Sequence, residues 1–150
     1  MHTVLPFKLL SMLSFMCFIS SCNTTQKIDN ELLLSVDMEM ATRGNSSKIH
    51  YEKNQITKEN KQLSEVAGEK IRQRISSEWD EINRLVSKLN LAEFENWEAP
   101  TQKRFYDGAR GTTIKLNFAD KTLSSQTFDE GEPPAELSEL YDYLVSVLNQ

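Results

Sequence analysis

The chain has only two cysteines, Cys17 and Cys22, so nothing after residue 22 can form a disulfide, a thiolate metal site or a cysteine nucleophile. Histidine is as scarce, with His2 and His50 the two present, and a zinc site wants three or four convergent nitrogen or sulfur ligands. Neither a nucleophile elbow nor a phosphate-binding loop occurs. Basic charge is in the minority, 17 Lys and Arg against 22 Asp and Glu for a net charge of −5, which opposes nucleic acid and anionic headgroups. No apolar run reaches the roughly 20 residues that a membrane span needs. No cofactor is expected, and no nucleic-acid partner.

One apolar run is nevertheless present, from Leu9 to Ile19, behind a cationic start made of the α-amine and Lys8. Its length is that of a signal-peptide core. It closes on Ile19-Ser20-Ser21-Cys22, which resembles a bacterial lipobox, and the polar Asn23-Thr24-Thr25-Gln26-Lys27 prevents its extension. The reading is a lipoprotein signal peptide over residues 1–21, a lipidated Cys22 with a polar tether to residue 31, and one domain over 32–150. Lipidation consumes the second cysteine, and loss of Lys8 makes the exported chain one unit more acidic. The expected location is the bacterial cell envelope, at the outer membrane, with the membrane itself as a partner through acyl chains on Cys22, each buried methylene contributing about 0.8 kcal/mol.

Within the domain, Leu34, Val36, Met38 and Met40 alternate with Ser35, Asp37 and Glu39, the period-two pattern of a strand with one buried face. Arg43-Gly44-Asn45-Ser46 turns the chain, and Ile49 and Tyr51 alternate on a returning strand. Residues 53–76 are polar and interrupted by Gly68; their one strand-like stretch, Ile71 to Ile75, reads as an edge strand. Ser77 with Asp80 and Glu81 suits a helix start, and Trp79, Ile82, Leu85, Val86 and Leu89 form one helical stripe. After a loop from Leu91 to Arg110, Ile114, Leu116 and Phe118 mark a strand, and Thr122 to Phe128 its return. Pro133-Pro134 opens a second helix, whose stripe is Leu137, Leu140, Tyr141, Leu144, Val147 and Leu148. The expected fold is α+β: a two-layer sandwich in which two amphipathic helices cover one face of an antiparallel sheet of four to five strands.

Candidate chemistry is thin. Asp107, Asp129, Glu130 and Glu132 are weak calcium candidates, because calcium takes six to eight oxygens and these acids match no EF-hand spacing. Acids ahead of a helix also complement its dipole. His50 shares a strand face with Glu52 and reads as a solvated histidine. Asp107 with Asp129, or Glu98 with Glu130, would be carboxylate pairs for a hydrolase acting on cell-wall or dietary polymer, yet 22 acids produce such pairs by chance. No catalytic residue is assigned. The loop Leu91 to Pro100 carries Phe94 and Trp97 three apart between acids, a candidate protein-binding surface or a lid folded on the core.

Phe105-Tyr106-Asp107-Gly108-Ala109 leads into Thr112-Thr113-Ile114-Lys115-Leu116, and Thr127-Phe128-Asp129-Glu130-Gly131-Glu132-Pro133-Pro134-Ala135-Glu136-Leu137 precedes the last helix. These segments resemble those of small envelope lipoproteins of Bacteroidota-type bacteria. The strand layout and the Pro-Pro-x-x-Leu helix start are similar to those of the emfourin family, protein inhibitors of thermolysin-like metalloproteases. The resemblance implies a non-catalytic module with a protein partner. Where that family's first hairpin carries Gly-Gly this chain has Arg43-Gly44-Asn45, and no inhibitory residue is transferred.

Overall fold

The computed structural model describes residues 32–62, 65–73 and 76–148. The expected signal segment, Cys22 and the tether lie outside the described residues. Among those described, no helix is long and apolar enough to cross a membrane.

Among the described residues seven strands and two α-helices follow one another as β1 (Leu33–Ala41), β2 (Asn45–Glu52), β3 (Gln55–Gln62), β4 (Glu65–Gln73), α1 (Ser76–Ser87), β5 (Gly111–Phe118), β6 (Thr122–Ser124), β7 (Phe128–Asp129) and α2 (Ser138–Leu148). The sheet is antiparallel, in the order β4-β3-β2-β1-β5-β6, with β7 also on β5. This is the expected α+β architecture with more strands than expected. Val36, Met38 and Met40 of β1, Ile49 and Tyr51 of β2, and Ile114, Leu116 and Phe118 of β5 point inward, and the stripes of both helices join them in one core. The Tyr51 hydroxyl spans the two layers, donating to the Leu144 carbonyl at 2.7 Å.

Three local readings are corrected. Leu34 is 49% exposed, because a bulge in the β1–β5 register between Leu33 and Ser35 makes it the extra residue and turns Leu33 inward instead. The polar stretch after Glu52 forms two strands: the edge strand expected from Ile71 is present as β4 but begins at Glu65, and β3 beside it was not expected. Along residues 55–61 of β3 only Ile56 is buried, so no period-two signal survives there.

The third correction concerns the return from β5, which breaks at Ser125 into β6 and β7. The Ser125 amide donates to the Ile114 carbonyl at 2.9 Å, and its hydroxyl accepts the Ile114 amide at 3.0 Å. A side chain thus stands in for a backbone acceptor, and the ladder resumes at Phe128. Pro134 then leads into a 3-10 turn at Ala135–Leu137 that runs on as α2.

Candidate functional site

Both helices pack on one face of the sheet, so the other face carries the outward half of each alternation. Near its centre Asp37 stands opposite His50 in the β1–β2 register. Nδ1 of His50 bonds Asp37 Oδ1, and Nε2 bonds Glu52 Oε1 at 2.9 Å. Asn117 donates to Ser35 Oγ at 2.9 Å and to Asp37 Oδ2 at 3.2 Å, and Lys48 lies 3.7 Å from the same oxygen.

A ring with both nitrogens on carboxylates carries both protons. Partial burial pulls the His50 pKa down, but the bonds to Asp37 and Glu52 outweigh it, and the net shift is upward. Glu52 is held below the usual carboxylate range by its bond to His50 and then by Gln55. As an imidazolium, His50 has no lone pair with which to take a proton from a nucleophile. In this arrangement it clamps β1 to β2.

Further along the same face lies a groove of about 1110 Å³. Glu39 and Ala41 of β1, with Gly111 and Thr113 of β5, form its floor; residues 42–44 of the first turn and residues 104–109 form its walls. A Cβ on Gly111 would come within 2.9 Å of Thr127 Cγ2, so the bare backbone there is what lets the Thr127 side chain pack over the strand. Phe105 and Tyr106, on the second wall, are 71% and 78% exposed. Two neighbouring aromatics on one loop are the largest exposed apolar feature of this end of the sheet.

The wall is anchored by a buried carboxylate. Asp129 accepts the Thr101 hydroxyl at 2.6 Å, the Lys103 amide at 2.6 Å, the Arg104 amide at 3.0 Å and the Arg104 guanidinium at 3.1 Å. Desolvation works to raise its pKa, but these donors prevail and hold it at about 2, against an ordinary 3.8. The same guanidinium also donates to the Thr101 carbonyl at 3.0 Å and lies 4.5 Å from the centroid of the Phe105 ring. Burial, charge and stacking thus fix the base of the aromatic pair, while the pair itself stays in solvent.

The four calcium candidates do not converge. Asp129 is filled by its donors, Glu130 pairs with Arg110, Glu132 with Lys103 at 3.0 Å, and Asp107 sits exposed on the groove wall. Among the described residues no group of three or more His, Cys, Asp or Glu could hold a metal ion. The hydrolase pairs fare similarly, since Asp129 has no free oxygen to offer and Glu98 is exposed while Glu130 faces its arginine.

The aromatic loop of the sequence reading divides. Phe94 has no accessible surface and belongs to the core; Trp97 is half-buried against it, edge-on with centroids 5.5 Å apart. A side chain without accessible surface makes no contact with a partner, so Phe94 is a lid residue. Sequence reasoning passed over Phe105 and Tyr106 as binding residues, although one signal was there: adjacent aromatics in a loop cannot both point into one core, and charged residues and Gly108 surround them.

No family model, curated protein or solved structure matches the chain.

Proposed function

We propose that this protein is a non-catalytic binding module of the bacterial envelope, held at the membrane by acyl chains on Cys22, that receives its partner in the groove beside Phe105 and Tyr106. The supporting observation is the contrast between the loop's base and its tip. Asp129 is spent on fixing residues 101–104, and the two aromatics beyond them face solvent. Exposure on a pinned wall is presentation, for a loop with nothing to bind would bury such rings at a gain of about 1.5 to 3 kcal/mol each.

The test is retention of envelope components by full-length protein held on beads in mild detergent. Phe105→Ala and Tyr106→Ala should each release the retained species with the thermal midpoint unchanged. Equal retention by both variants would move the site away from the groove. The emfourin-like version adds an inhibition assay, in which excess protein suppresses a thermolysin-like protease to a saturable, stoichiometric end point. Slow digestion without inhibition removes that version and leaves the module reading in place.

A further inference from the structure

We propose that the occupant of the groove is a glycan chain; the inference rests on the binding-module reading and names its ligand class. The floor cannot take a polypeptide by its backbone. An extended polypeptide is commonly gripped through its backbone by an unpaired strand edge. Here Glu39 to Ala41 are paired on one side to Lys48 through Ser46 and on the other to Thr113 through Gly111, so β1 offers a face and no edge. Gly111 is itself paired again, to Asp129 of β7. Nor does the lining carry large aliphatic side chains to form pockets for alternate residues, since apart from Phe105 and Tyr106 its apolar members are Ala41 and Ala109.

The lining instead offers unpartnered polar groups. Among the described residues, the side chains of Glu39, Arg43 and Asp107 make no hydrogen bond or ion pair, and the Tyr106 hydroxyl makes none. Two carboxylates and one guanidinium therefore face one open channel, a mixed set that suits neither a polyanion nor a polycation. A pyranose chain fits this pattern. Its C–H faces lie on aromatic rings, and its neutral hydroxyls, each donor and acceptor, satisfy carboxylates and guanidinium alike. Thr113 and Thr127, already bonded to each other at 3.0 Å, add two hydroxyls near the floor.

The experiment is affinity electrophoresis of full-length protein in detergent, through gels carrying xylan, mixed-linkage β-glucan, galactomannan, starch or solubilised peptidoglycan. At least one polymer should retard the wild type. Phe105→Ala and Tyr106→Ala should each weaken that retardation about tenfold or more, while Leu34→Ala, an exposed change at the opposite end of β1, leaves it intact. In parallel, a photo-crosslinking residue at position 106 is irradiated in cells. Absence of retardation together with a protein adduct overturns the glycan assignment and keeps the groove as the site. Absence of both overturns the glycan and the module reading together. Retardation that persists in both aromatic variants overturns the assignment of the glycan to this groove.

Discussion

The carboxylate of Asp129 and the guanidinium of Arg104, 25 residues apart in the chain, meet at 3.1 Å with side-chain exposures of 1% and 16%. The pair joins the loop that carries the exposed aromatics to β7, the strand that closes the sheet beside it. Asp129→Asn keeps the size of the side chain and removes the charge that its donors share. The expected result is a lower denaturant midpoint together with faster proteolytic cutting within residues 101–110. Cutting unchanged from wild type would mean that the loop is held by something else.

Acid should act through the same group. Its folded pKa of about 2 lies below the ordinary 3.8, so its stabilising contribution is complete above about 3.8 and declines as pH falls toward 2. Chemical denaturation measured between pH 5 and pH 2 should show this decline in the wild type and a shallower one in Asp129→Asn. Parallel curves would assign the acid sensitivity to other carboxylates.

His50 gives the opposite sign. Its pKa is raised above 6.5 in the fold, so its clamp on β1 and β2 is complete below 6.5 and is lost as pH rises through the folded value. Imidazole resonances followed by NMR should titrate above 6.5, and His50→Gln should flatten the alkaline side of the stability profile. A midpoint at or below 6.5 contradicts the two-carboxylate geometry.

The core makes quantitative demands. Leu144 has no accessible surface, and Leu144→Ala should cost about 2 to 5 kcal/mol by equilibrium unfolding. Tyr51→Phe, which removes the hydroxyl that donates to the Leu144 carbonyl, should cost about 0.5 to 1.5 kcal/mol. The two loop aromatics should separate in the same assay: Phe94→Ala about 3 to 5 kcal/mol, and the half-buried Trp97→Ala about 1.5 to 3 kcal/mol. A Trp97 variant with wild-type stability would return that ring to the surface.

The anchor has its own test. Cys22→Ala should abolish metabolic labelling with palmitate and release the protein from membranes. Labelling that survives the substitution removes the lipid from the account and, with it, the reason to place the protein at the envelope.

Those parts of the fold whose side chains alternate against the helices were legible in the letters. Val36, Met38 and Met40, Ile49 and Tyr51, and Ile114 to Phe118 obey period two because one side meets the helices and the other meets water. That condition weakens along β3, where Ile56 is followed by Lys58 and Asn60, and the strand is held by its ladders to β2 on one side and β4 on the other. Leu34 and Ser125 were misread for another reason. A bulge or a hydroxyl acceptor shifts register without altering composition. For the groove, the difficulty was tertiary: Phe94-x-x-Trp97 and Phe105-Tyr106 look equally apolar in sequence, and only the packing against the core decides which pair is consumed by it.

The central position of β1 has a mechanical meaning. Any tension transmitted from the N-terminal segment enters the domain along this strand, which is gripped on one flank by seven residue pairs with β2 and on the other by eight with β5. A pull directed along the strand would load both ladders at once in shear, so they would have to yield together. An edge strand in that place would peel away one bond at a time.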